Sequence, residues 1–296
     1  MSEMKLRGKK PDLIQKRLKL LMYGAASTGK TTAALSFPSP YLIDTERGAE
    51  HSQYKELLDK QNGAIFQSDD FDEIVSEVRT LLCTSHDYKT LIIDPITPVW
   101  TNILENAETS VGSSFNKHYG VANKNIKYLI SMLYKLDMNV ILTAHSKDVY
   151  AKSGEISGAT YDGYKKLDYI FDLALEIRKE KQSKDRIAKV VKTRISTFTE
   201  DEEFIFKYDT LASKYGKDIM EKKYEAMETI TVEQIKALGI LLMDNQISDE
   251  KISCMLEKSG ASKIEELDSV YAQKCIDRLS ILKNKKCTIV DEDVYM

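Results

Sequence analysis

Short apolar runs recur along the first half of the chain, at residues 18–23, 41–44, 90–94 and 140–144, each the length of one strand. Between them, residues 71–82 and 124–136 carry apolar positions at helical spacing. Near-continuous apolar strands alternating with helices predict βαβ units, a parallel sheet covered on both faces. Beyond residue 165 the rhythm changes. Runs at 173–178, 187–193 and 203–208 follow one another directly, which predicts an antiparallel extension of the sheet.

From about residue 230 the pattern is helical throughout. Thr231-Val-Glu-Gln234 has the form of a capping box, and Ser248-Asp-Glu caps a second helix that Gly260 ends. A last helix carries Cys275, Ile276, Leu279 and Leu282. The predicted architecture is α/β, a mainly parallel sheet with an antiparallel extension, plus a small C-terminal helical domain. The boundaries read as a basic arm at 1–17, a core at 18–213, a Lys- and Glu-rich linker at 214–229, a helical module at 230–285 and an acidic tail at 286–296, whose end from Val290 reads as disordered.

Composition narrows the class. Of 296 residues, 42% are apolar and 30% charged, enough for a sizeable core with a solvated surface. The net charge of −3 is unevenly spread, with Lys5, Arg7, Lys9, Lys10, Lys16, Arg17 and Lys19 at one end and Asp-Glu-Asp at the other. Such asymmetry is compatible with a polyanionic partner. Four scattered cysteines without a C-x-x-C pair read as reduced thiols, and four scattered histidines offer no metal-ligand spacing. No apolar run reaches the roughly 18 residues of a membrane span, and the basic N-terminus lacks a signal-peptide core. The expected location is cytoplasmic.

The strongest chemical signal is Gly24-Ala25-Ala26-Ser27-Thr28-Gly29-Lys30-Thr31, which fits G-x-x-x-x-G-K-[ST] after an apolar strand and before a short helix. In that context backbone N–H groups, through Thr32, cradle phosphate oxygens of ATP. Lys30 would reach the β- and γ-phosphates, and the Thr31 hydroxyl would ligate Mg²⁺. Leu91-Ile-Ile-Asp94 is an apolar strand ending in a carboxylate suited to the same Mg²⁺. GTPase motifs are absent: Asn123-Lys124-Asn125 is followed by Ile126, and Asp94-Pro-Ile-Thr97 lacks the required glycine.

In the order of its elements, residues 18–208 resemble the RecA-like ATPases. Tyr41-Leu-Ile-Asp-Thr-Glu46 resembles the strand whose terminal glutamate polarises the attacking water, which implies Glu46 as general base. Val140-Ile-Leu-Thr-Ala-His145 resembles the strand ending in the γ-phosphate sensor, with His145 where RecA has glutamine. Val190-Val-Lys192-Thr-Arg194 resembles the strand whose two cations reach the ATP of a neighbouring protomer, so hydrolysis would require a homo-oligomer, ring or filament. Each position also has a plainer reading, as a solvated or structural side chain.

The resemblance further implies two loops facing single-stranded DNA. The first is residues 108–125, with Lys117, His118, Tyr119 and Lys124. The second is residues 146–166, with Lys147, Tyr150, Lys152, Tyr161, Tyr164, Lys165 and Lys166. Both are expected to be mobile without DNA. Lysines that track phosphates and aromatics that stack on bases suit sequence-tolerant single-strand binding. Within the group the chain looks most like the Sak-type phage ATPases of single-strand annealing and recombination. Two other functions stay open: an annealing or scaffold protein that uses ATP structurally, and a helicase-loader-type ATPase acting on a replication or single-strand-binding protein.

Overall fold

The computed structural model describes residues 16–151, 153–183 and 185–292, with 283–292 as backbone alone. The basic arm before Lys16, Lys152 and the last residues of the acidic tail lie outside the described residues.

The core opens with β1 (Lys19–Gly24), α1 (Lys30–Ala34), β2 (Pro40–Asp44), α2 (Ser52–Lys60), β3 (Ala64–Gln67), α3 (Phe71–Cys83) and β4 (Thr90–Asp94). A helical pair follows, α4 (Ile96–Val111) and α5 (Lys117–Lys135), then β5 (Asn139–Tyr150), β6 (Ile156–Tyr161) and α6 (Leu167–Ile170). The core ends with β7 (Leu173–Lys179), β8 (Arg186–Thr193), β9 (Glu203–Ile205), α7 (Tyr208–Tyr215) and α8 (Lys217–Glu221). The remainder is α9 (Val232–Asp244), α10 (Asp249–Ser259) and α11 (Ser269–Glu292).

The strand order is β3-β2-β4-β5-β1-β7-β8-β9. The first six are parallel, and β7, β8 and β9 pair antiparallel. This is the expected mixed α/β fold. Alternating side chains explain why both sheet faces are covered. Leu21, Tyr23, Ile43, Leu91, Ile93, Val140 and Leu142 pack with α3, α4 and α5 on one face. Leu20, Met22, Leu42, Ile92, Ile141, Leu173 and Leu175 join α1 and α7 on the other. The C-terminal helices have a separate apolar cluster around Leu238, Leu242, Leu267 and Ala272.

Four expectations need correction. Residues 214–229 are not a free linker: Met220 is fully buried, Tyr224 nearly so, and the Arg17 guanidinium donates to the carbonyls of Ile219, Met220, Lys222 and Lys223. Their apolar residues lie at wide intervals among lysines and glutamates, so the composition reads as solvated. The helical module does not stop at residue 285, because α11 continues to Glu292. The first loop, 108–125, is a helical hairpin, since α4 runs to Val111 and α5 starts at Lys117. The second, 146–166, is largely the β5–β6 hairpin. Its residues 146–150 and 156–160 are mostly exposed, so no core-facing apolar stripe marks them as strands.

Candidate functional site

The carboxyl ends of four neighbouring parallel strands converge, the usual place for a ligand in an open α/β sheet. Gly24 ends β1 in register with His145 on β5, and Asp44 ends β2 in register with Asp94 on β4. The glycine loop leaves β1 here, with Ala25, Ala26 and Ser27 exposed.

Backbone proximity explains Gly24. A β-carbon there would stand 2.2 Å from the Ile177 carbonyl oxygen of β7. Gly29 caps α1 at a φ of 91°, in the left-handed region that favours glycine. The buried Lys30 ammonium donates to the carbonyls of Gly24 (2.8 Å) and Ala25 (3.0 Å), so it is held at the loop's mouth. Burial lowers its pKa, while Asp94 and Glu46 oppose that shift.

Asp94 is buried, and burial pushes its carboxyl pKa up. Hydrogen bonds from the Thr143 and Thr31 hydroxyls act against that rise, Asp44 adds to it and Lys30 again opposes it. Thr143 lies on β5, between the P-loop strand and β4, and donates to Asp94 Oδ1. The pair Thr31 and Asp94 offers hard oxygen donors beside a phosphate-binding loop, a set that suits Mg²⁺ completed by phosphate and water oxygens. Among the described residues, no group of three or more His, Cys, Asp or Glu side chains forms a self-sufficient metal site.

Asp44 shapes the segment that carries Glu46. Its carboxylate accepts from the backbone N–H groups of Glu46 (3.3 Å), Gly48 (3.1 Å) and Ala49 (2.9 Å). Thr45 completes the anchor, its N–H donating to the Asp94 carbonyl and its hydroxyl to the Pro95 carbonyl. Glu46 Oε1 is thereby set 3.2 Å from His145 Nε2, both side chains being half-exposed. The Thr97 hydroxyl accepts from His145 N–H (3.0 Å) and donates to the Asp162 carbonyl (2.7 Å), linking this end of β5 to β6.

Lys30, Thr31, Glu46, Asp94 and His145 are therefore brought together. Lys192 and Arg194 are not. β8 runs antiparallel to β7, and Thr193 pairs with Leu173, at the sheet end remote from Gly24. Lys192 donates to the Phe171 carbonyl, and Arg194 to the carbonyls of Tyr169 and Ile170. Within one chain they cap the end of α6, with Arg194 exposed.

The predicted DNA-facing residues divide. Tyr161 (7% exposed) and Tyr164 (5%) belong to the core, so neither presents a free face for a base. Lys124 is paired with Glu257 of α10 at 2.7 Å, and Lys147 with Asp162 at 2.8 Å. Lys117, Tyr119, Tyr150, Lys165 and Lys166 are exposed. A cleft of about 560 Å³ between the two hairpins is lined by Trp100, Tyr119, Lys127, Lys147, Lys165 and Lys166, among others.

Asp44, Thr97 and Thr143 escaped the sequence reading as site residues. Thr143 left a signal, a hydroxyl inside an otherwise apolar strand run. Asp44 left a weaker one, as a carboxylate closing a buried strand. Thr97 left none.

Residues 16–208 match the family model described as an AAA domain, well over half of the chain. Among solved structures, the RadB recombinase is similar at 18% identity and a TM-score of 0.41, covering 71% of this chain and 91% of that one. A KaiC-like protein from the hyperthermophilic archaeon Pyrococcus horikoshii OT3 is similar at 16% identity and a TM-score of 0.41, covering 64% and 85%. No curated protein matches. With its P-loop, its strand-end carboxylate and its sheet order inside the matched span, the chain belongs to the AAA-domain family of P-loop proteins.

Proposed function

We propose that this protein is a Mg²⁺-dependent ATPase that assembles with copies of itself and promotes pairing or annealing of single-stranded DNA, in the manner of the Sak-type recombination ATPases. One observation carries the catalytic part: Lys30, Thr31, Asp94, Glu46 and His145 meet at the ends of four adjacent strands.

Backbone N–H groups of residues 24–32 and the Lys30 ammonium bind the phosphates. Thr31 and Asp94 would hold Mg²⁺, which neutralises charge on the β- and γ-phosphates when bound. Glu46 accepts the proton of the attacking water as general base. His145 stands against the Glu46 carboxylate and, in the sensor role that the resemblance implies, responds to the γ-phosphate. Arg194 and Lys192 serve a neighbouring protomer's ATP, since they stand away from their own.

The aromatic and basic cleft between the two hairpins supports a single-strand site. Its exposed lysines suit backbone phosphates, and Trp100 and Tyr119 suit bases. The Asp162 carbonyl, bonded through Thr97 to the His145 N–H, connects that cleft to the nucleotide end.

The test is ATP turnover with and without single-stranded DNA, beside Arg194→Ala. DNA-stimulated turnover, abolished in Arg194→Ala while ATP binding persists, supports the reading. Slow turnover indifferent to DNA would favour structural use of ATP, and stimulation by a replication protein alone would favour a loader.

A further inference from the structure

We propose that Arg186 is a second phosphate-binding cation of the nucleotide site, supplied by the same chain and pairing with the phosphates of a bound nucleoside di- or triphosphate. The proposal rests on the P-loop being a nucleotide site.

Arg186 is the first residue of β8 and pairs with Lys179 at the end of β7. β7 runs parallel to β1, with Glu176 beside Tyr23, so Arg186 stands at the sheet end that carries the P-loop. Its side chain lies against that loop. A β-carbon on Gly29 would fall 2.2 Å from Arg186 Nε, 3.0 Å from Cδ and 3.2 Å from Cζ. Gly29 thus leaves room for this arginine as well as supplying the positive φ of the cap.

The guanidinium is poorly used in what surrounds it. Arg186 Nε is buried without a hydrogen-bond partner. Among the described residues, no carboxylate lies within ion-pair distance of it, whereas Arg17, Arg79 and Arg178 each have one. A guanidinium has five N–H donors in a planar fork that fits phosphate oxygens bidentately. An unpaired one touching a loop whose N–H groups bind phosphate has its complementary ligand one contact away. Lys30 holds the loop from its mouth, through the carbonyls of Gly24 and Ala25, and Arg186 covers it at Gly29.

A plain packing role for the stem is the competing explanation, and charge separates the two. Binding of ATP and ADP would be measured by calorimetry with Mg²⁺ at two salt concentrations, for the wild type, Arg186→Met, Arg186→Lys and Lys30→Ala. The Met variant keeps an unbranched stem and loses the charge. Its affinity for both nucleotides should fall about tenfold to a hundredfold, the worth of a charge-assisted hydrogen bond. The wild type should lose affinity with salt more steeply than Arg186→Met, and Arg186→Lys should recover part of the loss. If Arg186→Met fails to fold by melting temperature, Arg186→Lys carries the test, because one ammonium cannot reproduce the fork and affinity should fall severalfold. Wild-type affinity and salt dependence in the folded variants would overturn the proposal. That outcome differs from failure of the nucleotide reading, in which the wild type binds no ATP.

Discussion

His145 Nε2 stands 3.2 Å from Glu46 Oε1, joining β5, where its parallel pairing with β1 ends, to the segment after β2, across the intervening β4. The contact brings the proposed general base against the strand that also carries Thr143. Glu46→Gln removes the proton acceptor and leaves the phosphate cradle intact. Turnover should fall about 10²- to 10⁴-fold with little change in ATP affinity. His145→Ala should lower kcat by a smaller factor, because it frees Glu46 without removing it. Single-turnover kinetics beside equilibrium binding checks both.

Asp94 gives the reaction an acid limb. Burial raises its carboxyl pKa, and the Thr143 and Thr31 hydroxyls hold it down by bonding the ionised form. The proposed Mg²⁺ site needs the carboxylate, so activity should be lost as pH falls through that pKa. Thr143→Val removes one donor, raises the pKa further and should move the acid limb to higher pH. A pH–rate profile of the two proteins should show this displacement, and superimposed limbs would refute it.

Lys19 makes stability depend on pH. Its ammonium is buried, donates to the carbonyls of Leu136 (3.1 Å) and Met138 (2.9 Å), and has its pKa lowered to about 7 by burial, partly offset by Asp172 and Asp137. Unfolding returns the lysine to its ordinary value of 10.5, so between about pH 7 and 10.5 the unfolded chain binds more protons. The cost of burying the charge is full below pH 7 and shrinks as pH rises. This group's share of the slope approaches about 1.4 kcal/mol per pH unit. Urea unfolding at pH 7 and pH 9 should show a larger gain for the wild type than for Lys19→Met.

For the proposed DNA surface, exposure separates residues that composition alone groups together. Combining Lys165→Ala with Lys166→Ala should weaken single-strand binding and flatten its salt dependence. Tyr161→Ala should instead act on stability, by about 3–5 kcal/mol, since the ring packs against Tyr23 and its hydroxyl bonds Asp168. Fluorescence anisotropy with a labelled oligonucleotide, beside thermal melts, distinguishes the two effects.

Much of this was legible from local pattern. The apolar run at 90–94 is β4, and the helical spacing at 71–82 is α3 but for one residue. β3, half-exposed at the sheet edge, offers only the three-residue apolar run Ala64-Ile65-Phe66, too short to stand out. α4 was hidden by Pro98, which reads as a breaker, yet at the third helical position its missing N–H costs no intrahelical bond. Tyr161 and Tyr150 look alike in sequence, and only the packing of β6 on the core decides that one is buried and the other 64% exposed. The P-loop was readable because its chemistry lies within eight consecutive residues. Arg186 reaches Gly29 from across the sheet, a contact no local pattern encodes.

The most direct test of the account is ATP hydrolysis by the purified protein with Mg²⁺, measured together with ATP binding, for the wild type, Lys30→Ala and Glu46→Gln. The account predicts turnover in the wild type alone, loss of binding in Lys30→Ala, and retained binding without turnover in Glu46→Gln. Turnover in Glu46→Gln at the wild-type rate would contradict the catalytic assignment at the ends of β2 and β5.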